Sequence, residues 1–446
     1  MKKRLLSAIL FLSFCLVGLW AKEDIRIINP VLPGDRPDPS IIKIDGVYWA
    51  AATSNEWSPL FPIFKSKDMQ NWELVNYVFP GGAPEWALNN FWAPELSYDE
   101  KQKKVYLYYT ARVKSSNRLA CAVAVADSPM GEFTDLGPLV AQEPGSIDAF
   151  EMRDENGKLY LLWKEDGNSM GLPTHMWAQQ MTEDRTRLTG EMHSLFYNDT
   201  PWEEGLVEGI CVTKKNGYFY ALYSAASCCD KRCNYKTGVA RSKTLLGKWE
   251  KYEKNPILVD NADWRCPGHG TLVEKDGKQY YLYHAYNRTG SVYVGRQGVL
   301  EELFWGEDGW PYFKNDRLNT SLDFEDNFKG KTLNALWQWR VTQTIHYTTG
   351  KKGLELGAST DNRDLGTLFV QPIKSLNFTL EATIDTRRST SYAGIGIIGG
   401  AHNGFGAPLA GIGVSVKGGR VEVWKTVDGN SATLAESPMD ISEIAR

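Results

Sequence analysis

The fold is decided by the stretch from Val207 to Tyr223, which reads VEGICVTKKNGYFYALY. A carboxylate stands at the start of a short strand, and an Asn-Gly turn at residues 216–217 follows it. A second strand, rich in aromatic residues, comes directly after the turn. Two short strands separated by Asn-Gly are a strong signal for a β-hairpin.

The same hairpin unit occurs five times, each time led by a polar residue. The leading residues are Asp38, Glu95, Asp148, Glu208 and His269, so that the successive steps are 57, 53, 60 and 61 residues. A hairpin repeat with a period of about 40 to 60 residues is typical of a β-propeller with one blade per repeat. The sequence therefore predicts an all-β fold that begins with a five-bladed propeller.

The leading residues are also the candidate functional residues. The innermost strands of a propeller line its central axis, so polar residues at the start of those strands are expected to meet in one small space. Five unrelated polar residues that cap turns are the alternative interpretation. The regular phase of all five favours a common site.

The N-terminal residues indicate export. Lys2-Lys3-Arg4 precedes an apolar run from Leu5 to Trp20, and Ala21 is a suitable cleavage position. This pattern predicts a signal peptide over residues 1–21 and a periplasmic or secreted protein, because the apolar run is short for a membrane span. We expect no membrane insertion and, with a net charge of −4, no nucleic-acid partner. The sequence does not indicate the oligomeric state.

The domain boundaries follow from changes in pattern. Residues 22–313 hold the propeller repeats, a polar linker covers 314–322, and 323–446 form a second all-β domain, a β-sandwich of jelly-roll or lectin-like type without an evident closing strand. Alternating stretches at 378–385 and 420–425 are predicted strands of this domain. Asp323, Glu325 and Asp326 could hold calcium, although a solvated linker is the favoured interpretation.

The cysteines suggest a loop that is held by a disulfide bond. Six remain after processing, and three of them, Cys228, Cys229 and Cys233, fall in one short segment without a nearby histidine. Zinc ligation and disulfide formation both fit such a cluster. We favour a disulfide that holds this loop over the axial site.

Three of the leading residues are carboxylates, and this points to acid–base chemistry. If Asp38, Asp148 and Glu208 meet on one axis, like charges held close together raise at least one of the pKa values. Arg296, which follows the last repeat, could supply a balancing positive charge. An acid and a base that face each other across a pocket suit hydrolysis of a glycosidic bond.

Five short motifs carry a family resemblance. They are Arg36-Pro37-Asp38-Pro39-Ser40-Ile41, Trp92-Ala93-Pro94-Glu95, Ser146-Ile147-Asp148, Val207-Glu208-Gly209 and Gly268-His269-Gly270. In this order, over residues 28–312, the chain resembles glycoside hydrolase family 43. The resemblance implies a five-bladed propeller and hydrolysis with inversion of the anomeric configuration.

The resemblance also implies a role for each matching residue. Asp38 would be the general base, Glu208 the general acid, and Asp148 the residue that orients Glu208 and raises its pKa. His269 would lie beside an axial calcium ion or beside the water shell of that ion. The reaction requires no cofactor, so such a calcium ion would have a structural role. Arg296 would contact the acidic pair and bind the substrate. Apart from the resemblance, the aromatic residues Phe91 and Trp92 are candidates for stacking against a sugar, and Glu95 is a further candidate for substrate binding.

The substrate prediction is an exo-acting α-L-arabinofuranosidase on plant polysaccharide side chains. β-D-Xylosidase and galactofuranosidase activities of the same family are the alternatives. A retaining fructosidase would need an Asn-Asp-Pro opening, where this chain has Pro37-Asp38-Pro39. A carbohydrate-binding propeller without catalytic activity is the alternative from another functional class.

Overall fold

The computed structural model describes residues 27–314, 324–341, 343–357, 365–373, 378–385, 391–399, 410–417, 419–427 and 430–438. The predicted signal peptide at 1–21, Asp323 and nearly all of the predicted linker lie outside the described residues.

Five antiparallel four-stranded sheets follow one another along the chain, each forming one blade. Blade one contains β1 (Ser40–Ile44), β2 (Val47–Ala51), β4 (Leu60–Ser66) and β5 (Glu73–Phe79), with the two-residue β3 (Trp57–Ser58) between β2 and β4. Blade two contains β6 (Trp92–Asp99), β7 (Lys104–Arg112), β8 (Leu119–Ala126) and β9 (Thr134–Val140). Blade three contains β10 (Ser146–Arg153), β11 (Leu159–Glu165), β12 (His175–Met181) and β13 (Leu188–Tyr197). Blade four contains β14 (Val207–Lys215), β15 (Tyr218–Ala225), β16 (Lys236–Ser242) and β17 (Glu250–Lys251). Blade five contains β18 (Trp264–Lys275), β19 (Lys278–Asn287), β20 (Gln297–Trp305) and β21 (Pro311–Phe313). Short 3-10 turns occur at Gly167–Met170, Pro201–Glu203 and Val292–Val294.

The predicted hairpins are the inner halves of the blades. In blade four, Lys215 pairs with Tyr218 across the Asn-Gly turn, so β14 and β15 form the hairpin predicted for Val207 to Tyr223. The aromatic second strand is buried because neighbouring blades cover both of its faces. Tyr223 and Tyr220, on opposite faces of β15, lie in two different hydrophobic clusters. This burial explains why the second strands are aromatic and nearly uninterrupted.

The blades close into a ring. The innermost strands contact one another in cyclic order, from β1 to β6, β10, β14, β18 and back to β1. Each pair of neighbouring blades encloses a hydrophobic cluster, such as the one that joins Phe61, Phe91 and Tyr109 between blades one and two. The segment before β1 binds blade five through a bridge between Leu32 and Gly298. The five-bladed propeller predicted from the sequence is confirmed.

Each innermost strand contains, or is preceded by, a residue in the left-handed backbone region. These residues are Asp38, Ala93, Asp148, Gly209 and His269, with φ between 46° and 60°. In β6, β10, β14 and β18 the residue coincides with a register shift of the β-bulge type. A bulge turns a side chain out of its regular direction, and such positions are common next to active sites. The structurally equivalent residues therefore differ from the predicted leaders in two blades: Glu208 stands one residue before the bulge position, and Glu95 stands two residues after it.

The C-terminal region is also all-β. Its strands are β22 (Trp339–Arg340), β23 (Tyr347–Gly350), β24 (Gly353–Leu356), β25 (Ala393–Gly399), β26 (Ala410–Lys417), β27 (Arg420–Val427) and β28 (Asn430–Pro438). β23 and β24 form a two-stranded sheet, and β25 to β28 form a four-stranded antiparallel sheet. The two sheets fit the predicted β-sandwich. The predicted strand at 420–425 is confirmed by β27, but residues 378–385 are not in a strand, so that prediction was wrong.

The C-terminal region is attached to blade one by main-chain pairing. β22 pairs antiparallel with β3, and the Val341 amide donates a hydrogen bond to the Glu56 carbonyl at 2.9 Å. Across the described residues, no helix combines the length and apolar character that a transmembrane span requires.

Candidate active site

Asp38 lies at the centre of the ring and is held by residues from three directions. Its Oδ2 accepts a hydrogen bond from Thr53 Oγ1 at 2.7 Å, and its Oδ1 lies 3.2 Å from Arg296 Nη1. His284 Nδ1 lies 3.0 Å from the Asp38 amide nitrogen and 3.1 Å from Oδ1. Burial raises the pKa of the Asp38 carboxyl, but Arg296, His269 and His284 outweigh it and hold that pKa well below its usual range. Asp38 is therefore an ionised carboxylate at neutral pH, as a general base must be.

Glu208 is held by a buried cation and a phenol. Lys164 Nζ lies 2.7 Å from Glu208 Oε2 and 3.0 Å from Asp166 Oδ1. The hydroxyl of Tyr235 donates a hydrogen bond to Glu208 Oε1 at 2.9 Å. Burial raises the pKa of Glu208, but Lys164, His269 and Tyr235 outweigh it and lower that pKa. Both carboxylate oxygens are thus fixed in direction.

Asp148 connects the other two carboxylates. Its Oδ2 accepts a hydrogen bond from the Gly209 amide at 3.0 Å, which places it beside the backbone that carries Glu208. His269 Nδ1 lies 3.5 Å from Asp38 Oδ1 and 3.8 Å from Asp148 Oδ2. The relative exposures of Asp38, Asp148 and Glu208 are only 7–8%. The three carboxylates that the sequence places 110 and 60 residues apart therefore converge around one imidazole.

The pKa of Asp148 is raised to about 6. Burial is the largest cause, His269 opposes it, and the neighbouring charge of Glu208 adds to it. The resemblance implies that Asp148 raises the pKa of Glu208. The structure shows the reverse, because Lys164 favours the ionised form of Glu208 and the higher pKa is that of Asp148. Two interacting carboxyl groups titrate as a pair, so the proton taken up belongs to both.

Gly209 allows this close approach. Its φ is +60°, and a Cβ atom there would lie 2.8 Å from Cγ of His269. Only glycine can therefore hold the Glu208 backbone against the imidazole without displacing it.

Two of the four candidate substrate-binding residues line a cleft, and the other two do not. Arg296 and Trp92 line the cleft between the propeller and the C-terminal sheets. Thr53, which also lines the cleft, and Arg296 both contact Asp38, so this carboxylate lies next to the cleft lining. Gln338 and Arg340 of the C-terminal region line the same cleft.

Two candidates do not reach that cleft. The ring of Phe91 is fully buried and packs edge-on against Phe61 in the cluster between blades one and two. Its assignment as a sugar-stacking residue was wrong, because the register of β6 directs Trp92 rather than Phe91 outward. Glu95 accepts a hydrogen bond from Thr271 at 2.7 Å, away from the three carboxylates, and burial raises its pKa to about 8. It does not belong to the acidic cluster.

A calcium ion at His269 does not fit the side chains around it. The Nδ1 atom faces the carboxylates of Asp38 and Asp148, and calcium prefers six to eight oxygen ligands. In the part of the chain that the structure describes, no group of three His, Cys, Asp or Glu residues could hold a metal ion.

Sequence patterns missed three residues of the site. Lys164, Tyr235 and His284 touch the catalytic candidates, but none of them stands at the start of an innermost strand, where the repeat places its polar leading residues. The only signal for Lys164 is that a lysine interrupts the end of an aromatic strand, directly after Trp163. The predicted disulfide over the site is confirmed, because Cys233 pairs with Cys266, and Cys228 pairs with its neighbour Cys229.

Comparisons with known proteins agree with this geometry. Residues 27–311 match the family model Glycosyl hydrolases family 43. The chain is 28% identical over 310 residues to Xylosidase/arabinosidase 43B of Humicola insolens, covering 65% of this chain and 55% of that protein. It is also 28% identical over 317 residues to a xylan 1,3-beta-xylosidase of a Vibrio species, covering 64% of this chain and 57% of that protein. The chain therefore spans little more than half the length of these relatives.

A solved structure shows the same fold over nearly the whole chain. The xylan beta-1,4-xylosidase from Bacillus halodurans C-125 superposes with a TM-score of 0.72 and 20% identity, covering 94% of this chain and 85% of that one. At this level of identity the likeness concerns the fold alone. The match of the family model covers well over half of the sequence and contains all three converging carboxylates. This chain therefore belongs to glycosyl hydrolases family 43.

Proposed function

We propose that this protein is an inverting, exo-acting glycosidase that removes terminal pentosyl residues from plant polysaccharide side chains. The observation that carries the proposal is the electrostatic asymmetry of the three carboxylates. Asp38 is held ionised, whereas Asp148 and Glu208 form a pair with a raised pKa on Asp148. Carboxyl groups whose environments separate their pKa values are the usual mark of distinct acid and base roles.

In the proposed reaction, Asp38 accepts a proton from a water molecule whose oxygen attacks the anomeric carbon. The bond from that carbon to the leaving oxygen breaks, and Glu208 donates its proton to this oxygen. Water attacks the face opposite the leaving group, so the configuration inverts. Asp148 holds the Gly209 amide and thereby fixes the backbone of the acid.

The acid step requires a proton on Glu208. Lys164 opposes this, but Glu208 is paired with Asp148, whose pKa is raised to about 6, so a proton is available within the pair. A leaving oxygen that approaches Glu208 is itself a hydrogen-bond acceptor and favours the protonated form of this carboxyl. The proton shared by the pair is then used by Glu208.

Exo action is supported by the depth of the carboxylates. All three are nearly buried, Asp38 contacts Thr53 and Arg296 of the cleft lining, and the C-terminal residue Arg340 lines the same cleft. Such a depth suits the end of a glycan chain better than its middle. The partner is thus an oligosaccharide or polysaccharide with an accessible terminal sugar.

α-L-Arabinofuranosides are the first proposed substrates and β-D-xylosides the second. The name of the Humicola insolens relative, xylosidase/arabinosidase, supports both, and that of the Vibrio relative supports the second. Galactofuranosides are a third candidate from the sequence resemblance.

We expect the protein to hydrolyse 4-nitrophenyl α-L-arabinofuranoside or 4-nitrophenyl β-D-xyloside and to release single sugars from the ends of branched oligosaccharides. Absorbance assays and product chromatography measure both. Internal cleavage that yields mixed oligosaccharides would contradict exo action. Sugar binding without turnover on a panel of furanosides and pyranosides would favour a carbohydrate-binding propeller.

Two further properties complete the proposal. Export is supported by the signal-peptide pattern of residues 1–21. A structural calcium ion, if it binds, is held through water rather than by the side chains around His269. Metal analysis of the purified protein, repeated after dialysis against a chelator, tests this.

A further inference from the structure

Tyr235 contacts Glu208 directly and also contacts His284, which lies against Asp38. Its hydroxyl donates to Glu208 Oε1 at 2.9 Å. Its ring stacks on the imidazole of His284 with an interplanar angle of 3° and a centroid distance of 5.7 Å. His284 in turn lies against the amide and the carboxylate of Asp38. One aromatic side chain therefore joins the acid side of the site to the base side.

The surroundings of Tyr235 are built to receive it. The side chain is fully buried, and its ring packs on the backbone of Gly268, where a Cβ atom would lie 2.5 Å from the ring. Burial and the nearby carboxylates raise the pKa of Tyr235 well above its usual range, so the hydroxyl remains a donor. A residue other than glycine at 268 would displace this ring from Glu208.

A disulfide fixes the loop that carries Tyr235. This loop, residues 226–235, connects β15 to β16 in blade four and is here called the cysteine loop. Cys233, two residues before Tyr235, is bonded to Cys266 in β18 of blade five, three residues before His269. Cys266 and Tyr235 also pack together in one hydrophobic cluster. The bond therefore ties the tyrosine to the strand that supplies the imidazole of the site.

We propose that Tyr235 is a positioning residue that aligns Glu208 and His284, and that the Cys233–Cys266 disulfide holds it in place, so that activity depends on the oxidised state of this pair. The proposal rests on the proposed function for its kinetic consequences. Tyr235 is assigned no contact with the substrate. It acts through the orientation and the proton affinity of Glu208.

The proton affinity of Glu208 depends on every group that faces it. Removal of the Tyr235 hydroxyl takes away a donor that favours the ionised form, so the pKa of Glu208 rises. The other charged and titratable groups that face Tyr235 and Glu208 stay unchanged when the Tyr235 hydroxyl is removed. They are Lys164 from β11, Asp148 from β10, His269 from β18, His284 from β19, Asp38 before β1 and Arg296 before β20.

The test compares Tyr235→Phe with Tyr223→Phe. Tyr223 is an equally buried tyrosine of blade four whose hydroxyl donates to Glu203, outside the acidic cluster. We expect Tyr235→Phe to lower kcat by about tenfold or more, as expected for the loss of a hydrogen bond to a charged group, with KM within about twofold of the wild type. The descending limb of the pH profile should move to higher pH. Tyr223→Phe should leave the profile in place, and equal profiles for both variants would overturn the proposal.

The disulfide has its own matched pair of variants. Cys233→Ser with Cys266→Ser should lower kcat in the same direction as Tyr235→Phe, whereas Cys228→Ser with Cys229→Ser, in the same loop, should not. Melting temperatures of all variants show that each is folded at the assay temperature. An unchanged kcat in the Cys233/Cys266 variant would overturn the role of the disulfide.

A direct titration separates this inference from the proposed function. Infrared difference spectra, with Glu208→Gln as the reference, report the Glu208 carboxyl band as the pH changes. The band should titrate at higher pH in Tyr235→Phe than in the wild type, whether or not the wild type hydrolyses any glycoside tested. An unchanged titration would overturn the positioning role, while a wild type without turnover would count against the proposed function only.

Discussion

Glu208→Gln is expected to abolish hydrolysis of natural oligosaccharides while leaving sugar binding intact. The amide keeps the shape of the side chain and can still accept the hydrogen bond from Tyr235, but its N–H protons are not acidic enough to be transferred to the leaving oxygen. General acid catalysis typically contributes a factor of about 10² to 10⁴ to the rate, so kcat should decrease by a factor in that range. Isothermal titration calorimetry with a substrate oligosaccharide measures the retained binding.

The leaving group distinguishes an acid from a residue that only shapes the site. A 2,4-dinitrophenolate leaves without protonation, so the Glu208→Gln variant should cleave a dinitrophenyl glycoside far closer to the wild-type rate. Glu250→Gln, an exposed substitution in the outermost strand of the same blade, is the control and should match the wild type on both substrates. Equal losses on both substrates would exclude the acid role. The melting temperature must be measured as well, because the variant removes one of the two carboxylate partners of the buried Lys164 and leaves only Asp166.

Asp38→Ala is expected to lower kcat by a similar factor, about 10²- to 10⁴-fold, because no other described group is placed as the base. Added azide should restore turnover. Azide attacks the anomeric carbon without giving up a proton, and the cavity left by the carboxylate gives it room. The product should be a glycosyl azide of inverted configuration, identified by mass spectrometry and NMR.

The matched control is Asp45→Asn in the turn between β1 and β2 of the same blade. Asparagine tolerates the positive φ of 48° at this position, and the residue lies in an exposed turn. A rate for Asp38→Ala within about threefold of the wild type would remove this residue from the mechanism, since a base is worth far more than that. Failure of azide to react, with the fold intact, would place the water-activating group elsewhere.

The sequence predicted the propeller and the three carboxylates because both depend on local signals. A hairpin is specified by its own turn and its own alternation, and five hairpins in phase determine a ring whose axis collects the leading residues. Asp38 and Asp148 were found in this way because each predicted leader is itself the residue of its blade in the left-handed backbone region.

The same reasoning failed where one or two residues of register matter. Glu95 lies two residues beyond the bulge residue Ala93, and its side chain binds Thr271 instead of joining the acids. Phe91 lies one residue before β6 and is turned into the core between blades. A bulge changes the direction of each following side chain, and no composition rule places it to the single residue.

The partners of the catalytic candidates could not be predicted for a different reason. Lys164 reaches Glu208 over 44 residues, Tyr235 over 27, and His284 reaches Asp38 over 246. Lys164 and Glu208 lie in neighbouring blades, as do His284 and Asp38, whereas Tyr235 reaches Glu208 from a loop of the same blade that is bonded to blade five through Cys233 and Cys266. The sequence also implied a raised pKa on Glu208, whereas the unpredicted Lys164 transfers the higher pKa to Asp148.

The most direct test of the account is the anomeric configuration of the first sugar released, followed by proton NMR in the first minutes of hydrolysis of an arabinofuranoside or xyloside. The account predicts that the initial product has the opposite anomeric configuration to the substrate and that mutarotation then equilibrates it. An initial product with the configuration of the substrate would contradict the assignment of Asp38 as base and Glu208 as acid in a single displacement.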